Sequence, residues 1–154
     1  MPTVRVQRED FDAGAEAARL AMGRNDVGAI VSFIGLCRDE GGRLAALEIE
    51  HYPEMAEEEI ARVARAAEVQ WPLSGVIVVH RFGKIRPGEQ IVLVAVASAH
   101  RGEAFAATEM LMDFLKTRAP FWKRAIKADG VLEGWVEARE EDNEAAARWN
   151  AAGR

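Results

Sequence analysis

The strongest constraint on this chain is a pair of β-forming apolar runs, Val76 to Arg81 and Gln90 to Ala99, separated by a loop containing GKIRPGE. Branched aliphatic side chains dominate both, and these suit the pleated, covered surface of a sheet. A third run, GAIVSFIGLCR from Gly28 to Arg38, is apolar at both alternating sets of positions. That pattern predicts a central strand covered on each face. Asp39 to Gly42 supplies a turn, after which Leu44 to His51 is expected to return as the second strand of a hairpin.

Around these strands the apolar period changes to that of helices. Thr3 to Arg8 first alternates Val4 and Val6 with polar neighbours, a short half-buried strand, and Asp10 is then expected to cap the alanine-rich stretch running to Ala21. Pro53 suits the first position of a second helix, in which Ala56, Ile60, Val63, Ala64 and Ala67 form one stripe. Trp71-Pro72 ends it, because the residue before a proline avoids helical dihedrals. Ala107, Met110, Leu111, Phe114 and Leu115 form the stripe of a third helix that starts near Arg101 and stops before Pro120. Phe121 to Lys127 and Val131 to Val136 are expected to pair across Ala128 to Gly130, and a short helix from Asp142 to Trp149 closes the chain. No repeat or linker interrupts the series. Residues 1–154 therefore read as one α+β domain without the regular alternation of a doubly wound fold.

Composition excludes several functions. A chain of 154 residues buries roughly 70% of the surface its unfolded form exposes, so it needs neither disulfides nor a structural metal. Its single cysteine, Cys37, points to a reducing compartment and removes every zinc pattern built on paired cysteines. With 20 Lys and Arg against 25 Asp and Glu, the net charge of -5 lacks the field of a general nucleic-acid binder. The start, MPTVRVQREDF, has no secretory pattern, and no window approaches the roughly 18 apolar residues of a membrane span, so a cytoplasmic protein is expected.

The common catalytic signatures are missing: there is no P-loop, no Gly-x-Gly-x-x-Gly after a strand and no His-Glu-x-x-His. His51, His80 and His100 sit at or near strand ends without a second ligand at helical spacing, so no metal and no cofactor is expected. Cys37 meets the minimal condition for a nucleophile, but strand alternation puts it on the face of Val31 and Phe33, where a buried thiol is inert. His100-Arg101 stands where a strand passes into a helix, either as an anion site, phosphate being the natural guess, or as a capping histidine beside a solvated arginine. LKTRAPFWKR, from Leu115 to Arg124, gathers four cations around a proline and two aromatics. Cations at a helix end explain Lys116 and Arg118; Lys123 is either a base or nucleophile among cations and apolar rings, or a solvated lysine guarding a sheet edge.

HYPEM, HRFGKIRPGE, SAHR, LKTRAPFWKR and WVEAR, in this order and spacing from about Val4 to Trp149, resemble the large, catalytic subunit of molybdopterin synthase. The resemblance implies an α/β hammerhead with an added antiparallel sheet, and an enzyme that converts cyclic pyranopterin monophosphate into molybdopterin by installing two dithiolene sulfurs. Each sulfur would arrive as a thiocarboxylate on the C-terminal Gly-Gly tail of a small ubiquitin-like subunit, in a heterotetramer built on a large-subunit homodimer. Matched by motif, Lys116 and Lys123 are the two active-site lysines; Arg38, His100 and Arg101 are anion-binding and substrate-binding positions; Phe33 and Met112 line the pocket, and Arg139 stands near it. Two other classes compete: a module that docks a ubiquitin-like tail without chemistry, and an unrelated phosphate-binding enzyme.

Overall fold

The computed structural model describes residues 1–135, 143–147 and 149. In chain order its elements are β1 (Thr3–Gln7), α1 (Ala13–Arg19), β2 (Ala29–Leu36), β3 (Leu44–His51), α2 (Met55–Gln70), β4 (Leu73–Arg81), β5 (Gly83–Ile85), β6 (Gln90–Ser98), α3 (Arg101–Thr117) and β7 (Phe121–Lys127). The two dominant apolar runs pair antiparallel as β4 and β6 at the centre of a sheet ordered β1-β4-β6-β2. Alternation then divides the core. Val76, Val78, Val92, Val94 and Val96 pack with Ile60 and Ala64 of α2 and with Ala107 and Leu111 of α3. Ile77, Val79, Leu93 and Ala95 face the other way, towards Leu20 and Ala13 around α1. A second, three-stranded sheet is ordered β5-β3-β7. This is an α+β architecture of the hammerhead kind with an added antiparallel sheet.

Helix ends follow local chemistry, with two shifts. Trp71 is extended, at φ -125 and ψ 149, as a residue before proline should be. The cap of α1 is Asp12, whose carboxylate accepts from the Ala15 N–H, rather than Asp10. Asp10 is instead drawn to Gln90 and to the Phe11 N–H. Pro53 lies in a turn ahead of α2, because Glu54, at φ 67, cannot belong to a right-handed helix. Residues 143–147 and 149 are helical, within the segment expected to form the last helix.

Four strand expectations are corrected. β2 is an edge strand, not a central one, and Ile30, Phe33, Ile34 and Leu36 are exposed. Apolarity on both faces reports a demand for cover, and α1, with seven residues, spans about 10 Å against about 26 Å for β2. β3 makes no hairpin with β2: positive φ at Glu40, Gly41 and Gly42 turns the chain out of the first sheet, and β3 pairs with β5 and β7. The GKIRPGE segment itself holds β5. Beyond β7 the return is a single bridge, Ile126 to Leu132, rather than a strand over the described part of Val131 to Val136.

Candidate active site

The site is built at the junction of α3 and β7. Pro120 prevents the helix from continuing, and the Arg118 and Ala119 N–H groups both close onto the Phe114 carbonyl, at 2.8 and 3.2 Å. The Phe121 N–H then donates to the Ala119 carbonyl at 2.7 Å, so β7 starts at once, with Phe121 opposite His51 and Lys123 opposite Ile49. Lys116, in the last turn of α3, and Lys123, on β7, thereby line one pocket of about 70 Å³. Its apolar walls come from Phe33, Gly35 and Leu36 of β2, Ile91 and Val92 of β6, and Met112 and Leu115 of α3.

His80, at the end of the apolar run of β4, completes the lining. It is 3% exposed. Its Nδ1 lies 2.8 Å from the Arg81 carbonyl oxygen. A carbonyl only accepts, so Nδ1 carries the proton and Nε2 keeps its lone pair. The ring lies on Phe121, with centroids 3.9 Å apart and planes 17° from parallel. Burial, reinforced by the nearby charge of Lys123, pushes the imidazole down to about 3, so it stays neutral across ordinary pH. The sequence offered this residue only as a metal ligand, without a second ligand beside it. The available signal was a histidine inside a strand otherwise buried and apolar, where a polar ring requires a partner.

The structure thus brings together Phe33, Met112, Lys116 and Lys123 of the expected residues and adds His80. Arg38 is exposed just past the β2 end of this pocket. His100 and Arg101 are not there. They begin α3, and Arg101 lies 15 residues, about 22 Å of helix, from Lys116. In one chain Arg38 and His100-Arg101 therefore occupy opposite ends of β6, since Leu36 pairs with Gln90 and Ala29 with Ser98. Arg139 lies outside the described residues. Cys37 is buried, its Sγ 3.7 Å from the Ile85 carbonyl oxygen, and burial, aided by Glu40, Glu89 and Asp39, pushes the thiol up. Among the described residues no three His, Cys, Asp or Glu side chains gather as a metal site would need.

Two amines lining one small, largely apolar pocket suit a small anionic group, with proton donors where negative charge develops. Comparison with known proteins identifies the family. The family described as MoaE protein matches residues 6–118. The molybdopterin synthase catalytic subunit of Mesorhizobium japonicum is 63% identical over 151 residues, covering 98% of this chain and 95% of that one. Among solved structures, the molybdopterin biosynthesis MoaE protein from Burkholderia ambifaria superposes with a TM-score of 0.83 at 46% identity, covering 97% of this chain and 99% of that one. Molybdopterin synthase from Staphylococcus aureus gives 0.71 at 32% identity, covering 84% and 95%. With the family matched over most of its length and its relatives aligned almost end to end, this chain belongs to the MoaE family, that of the molybdopterin synthase catalytic subunits.

Proposed function

We propose that this chain moves sulfur from the C-terminal thiocarboxylate of a small ubiquitin-like subunit to cyclic pyranopterin monophosphate, forming the molybdopterin dithiolene in the cytoplasm. The observation that carries this reading is the convergence of Lys116 and Lys123 on one narrow pocket walled by Phe33 and Met112. A Gly-Gly tail has no side chains to obstruct such a slot. The donor sulfur attacks a substrate carbon as a carbon–oxygen bond there breaks, the displaced oxygen leaving with a proton, and the acyl–sulfur bond breaks as water adds to the acyl carbon, leaving a carboxylate on the donor. A protonated lysine neutralises the oxyanion of that addition, and a lysine amine takes the proton that water releases.

The pocket's 70 Å³ is well below the roughly 300–1,000 Å³ usual for a small-molecule site, so it suits the reacting end of the donor rather than a whole pterin. The rest of the site is read as shared between two copies. An apolar edge strand, β2, is uncovered beside the pocket, and a second copy meeting it supplies the His100-Arg101 that this chain carries too far away. Arg38 from one copy and His100-Arg101 from the other then hold the substrate phosphate, with Arg139 as a further contact. The test mixes the purified chain with thiocarboxylated small subunit and the cyclic pterin, then oxidises any dithiolene to its fluorescent derivative. Product that needs Lys116 supports the reading; partner binding with no product at all supports a docking module instead.

A further inference from the structure

His80 belongs to none of the roles assigned above, yet it is the one buried polar ring in the pocket's lining. Its tautomer is set from behind: the Arg81 carbonyl takes the Nδ1 proton, and the stack on Phe121 fixes the ring plane. Nε2, across the ring, is the nitrogen left for the pocket. Phe121 and Lys123 alternate to the same face of β7, and the ring of Phe121 lies on His80. The stem of Lys123 therefore starts one strand repeat, about 7 Å, from a residue in direct contact with the imidazole, within reach of a four-carbon side chain.

We propose that His80 is a positioning residue for Lys123, its Nε2 lone pair accepting a hydrogen bond from the lysine ammonium and holding it at the inner wall of the pocket. The proposal rests on the sulfur-transfer reading only for what the held lysine then does. The titratable and charged groups around the ring are Lys116 from α3, Lys123 from β7 and His51 from β3, the last beyond Phe121. The Arg81 side chain is turned away, donating to the carbonyls of Arg8 and Gln90. Burial and these cations keep His80 uncharged, so it orients an ammonium without repelling it. A carboxylate in its place would bind the lysine more strongly, but would also repel an incoming thiocarboxylate.

The experiment is NMR on the full-length chain, with activity as a second readout. A long-range proton–nitrogen spectrum shows His80 as the Nδ1–H tautomer, and its Nε2 resonance moves in Lys123→Met but not in Lys116→Met. His80→Phe keeps the stack and removes the acceptor; the protonation constant of Lys123 falls about tenfold, the scale of one lost hydrogen bond to a charged group. In the same variant kcat falls by about tenfold while KM for the small subunit is unchanged, and His80→Gln, which returns an acceptor to the Nε2 position, restores both. An Nε2 resonance indifferent to Lys123→Met, or a Lys123 that titrates alike in wild type, His80→Phe and His80→Gln, overturns the proposal. Intact NMR signatures in a chain that makes no product would instead overturn the sulfur-transfer reading.

Discussion

His80 makes the stability of this chain depend on pH, and the size of the effect follows from its burial. The folded state holds the imidazole near 3, whereas the unfolded chain returns it to about 6.5. The folded-state value is the lower, so below about pH 6.5 the unfolded chain binds a proton that the folded chain refuses. Stability present above that pH is lost progressively as pH falls towards 3. At pH 5 the loss is about 2 kcal/mol relative to pH 7.5, roughly thirtyfold in the folding equilibrium and about 4–8 °C in Tm for a chain of this size. His80→Gln removes the titrating group and keeps a polar side chain in the space. Urea unfolding of both proteins at one concentration, from pH 7.5 to 5, gives the difference directly. His51, which burial also holds below its ordinary value, titrates in both and cancels. Parallel stability curves for wild type and His80→Gln would refute the argument, because they would mean that His80 accepts its proton while folded.

Replacing Lys116 or Lys123 by Ala lowers turnover by roughly 10²-fold or more with little change in the unfolding midpoint, checked by product assay and thermal melts. Arg101→Ala weakens pterin binding about 10-fold to 100-fold and leaves small-subunit affinity unchanged by titration, the scale of a lost charge-assisted bond. Because Arg101 and Lys116 of one chain are too far apart to share a site, mixing Lys116→Ala with Arg101→Ala chains restores roughly a quarter of wild-type activity, one intact site in the half of dimers that are mixed. No recovery after subunit exchange would place both residues in the same chain's site. Cys37→Ser keeps most activity and loses about 1–2 kcal/mol of stability by urea titration, since a hydroxyl replaces a thiol in a buried position.

What the sequence made legible was whatever depends on near neighbours. β4, β6 and the limits of α3 follow from branched runs and from Pro120, and Trp71 ends α2 for the same local reason. Asp10 and Asp12 are both competent caps, and the choice fell to a distant residue, Gln90, which holds Asp10 elsewhere. β2 carries the periodicity of a covered strand, but periodicity cannot say whether cover comes from the same chain. β3 left its expected partner because three positive-φ residues redirect the backbone, a fact about conformation that only two of them, both glycines, advertise. At the site, the lysines were visible through a distinctive motif. His80 was not, because its importance comes from a ring, Phe121, that lies 41 positions away in sequence.

The short connection between α3 and β7 has a consequence for how the chain tolerates changes of length. Surface loops usually accept insertions and deletions, but here successive backbone hydrogen bonds at Arg118, Ala119 and Phe121 leave no slack. With α3 anchored by its buried stripe, removing one residue from 118–120 pulls β7 one position along β3. A slip of one exchanges the two faces of a strand. Trp122 and Arg124 would turn towards the pocket while Phe121 and Lys123 turned away. A single deletion in a solvent-side turn would thus dismantle the site while every pocket side chain remained in the chain.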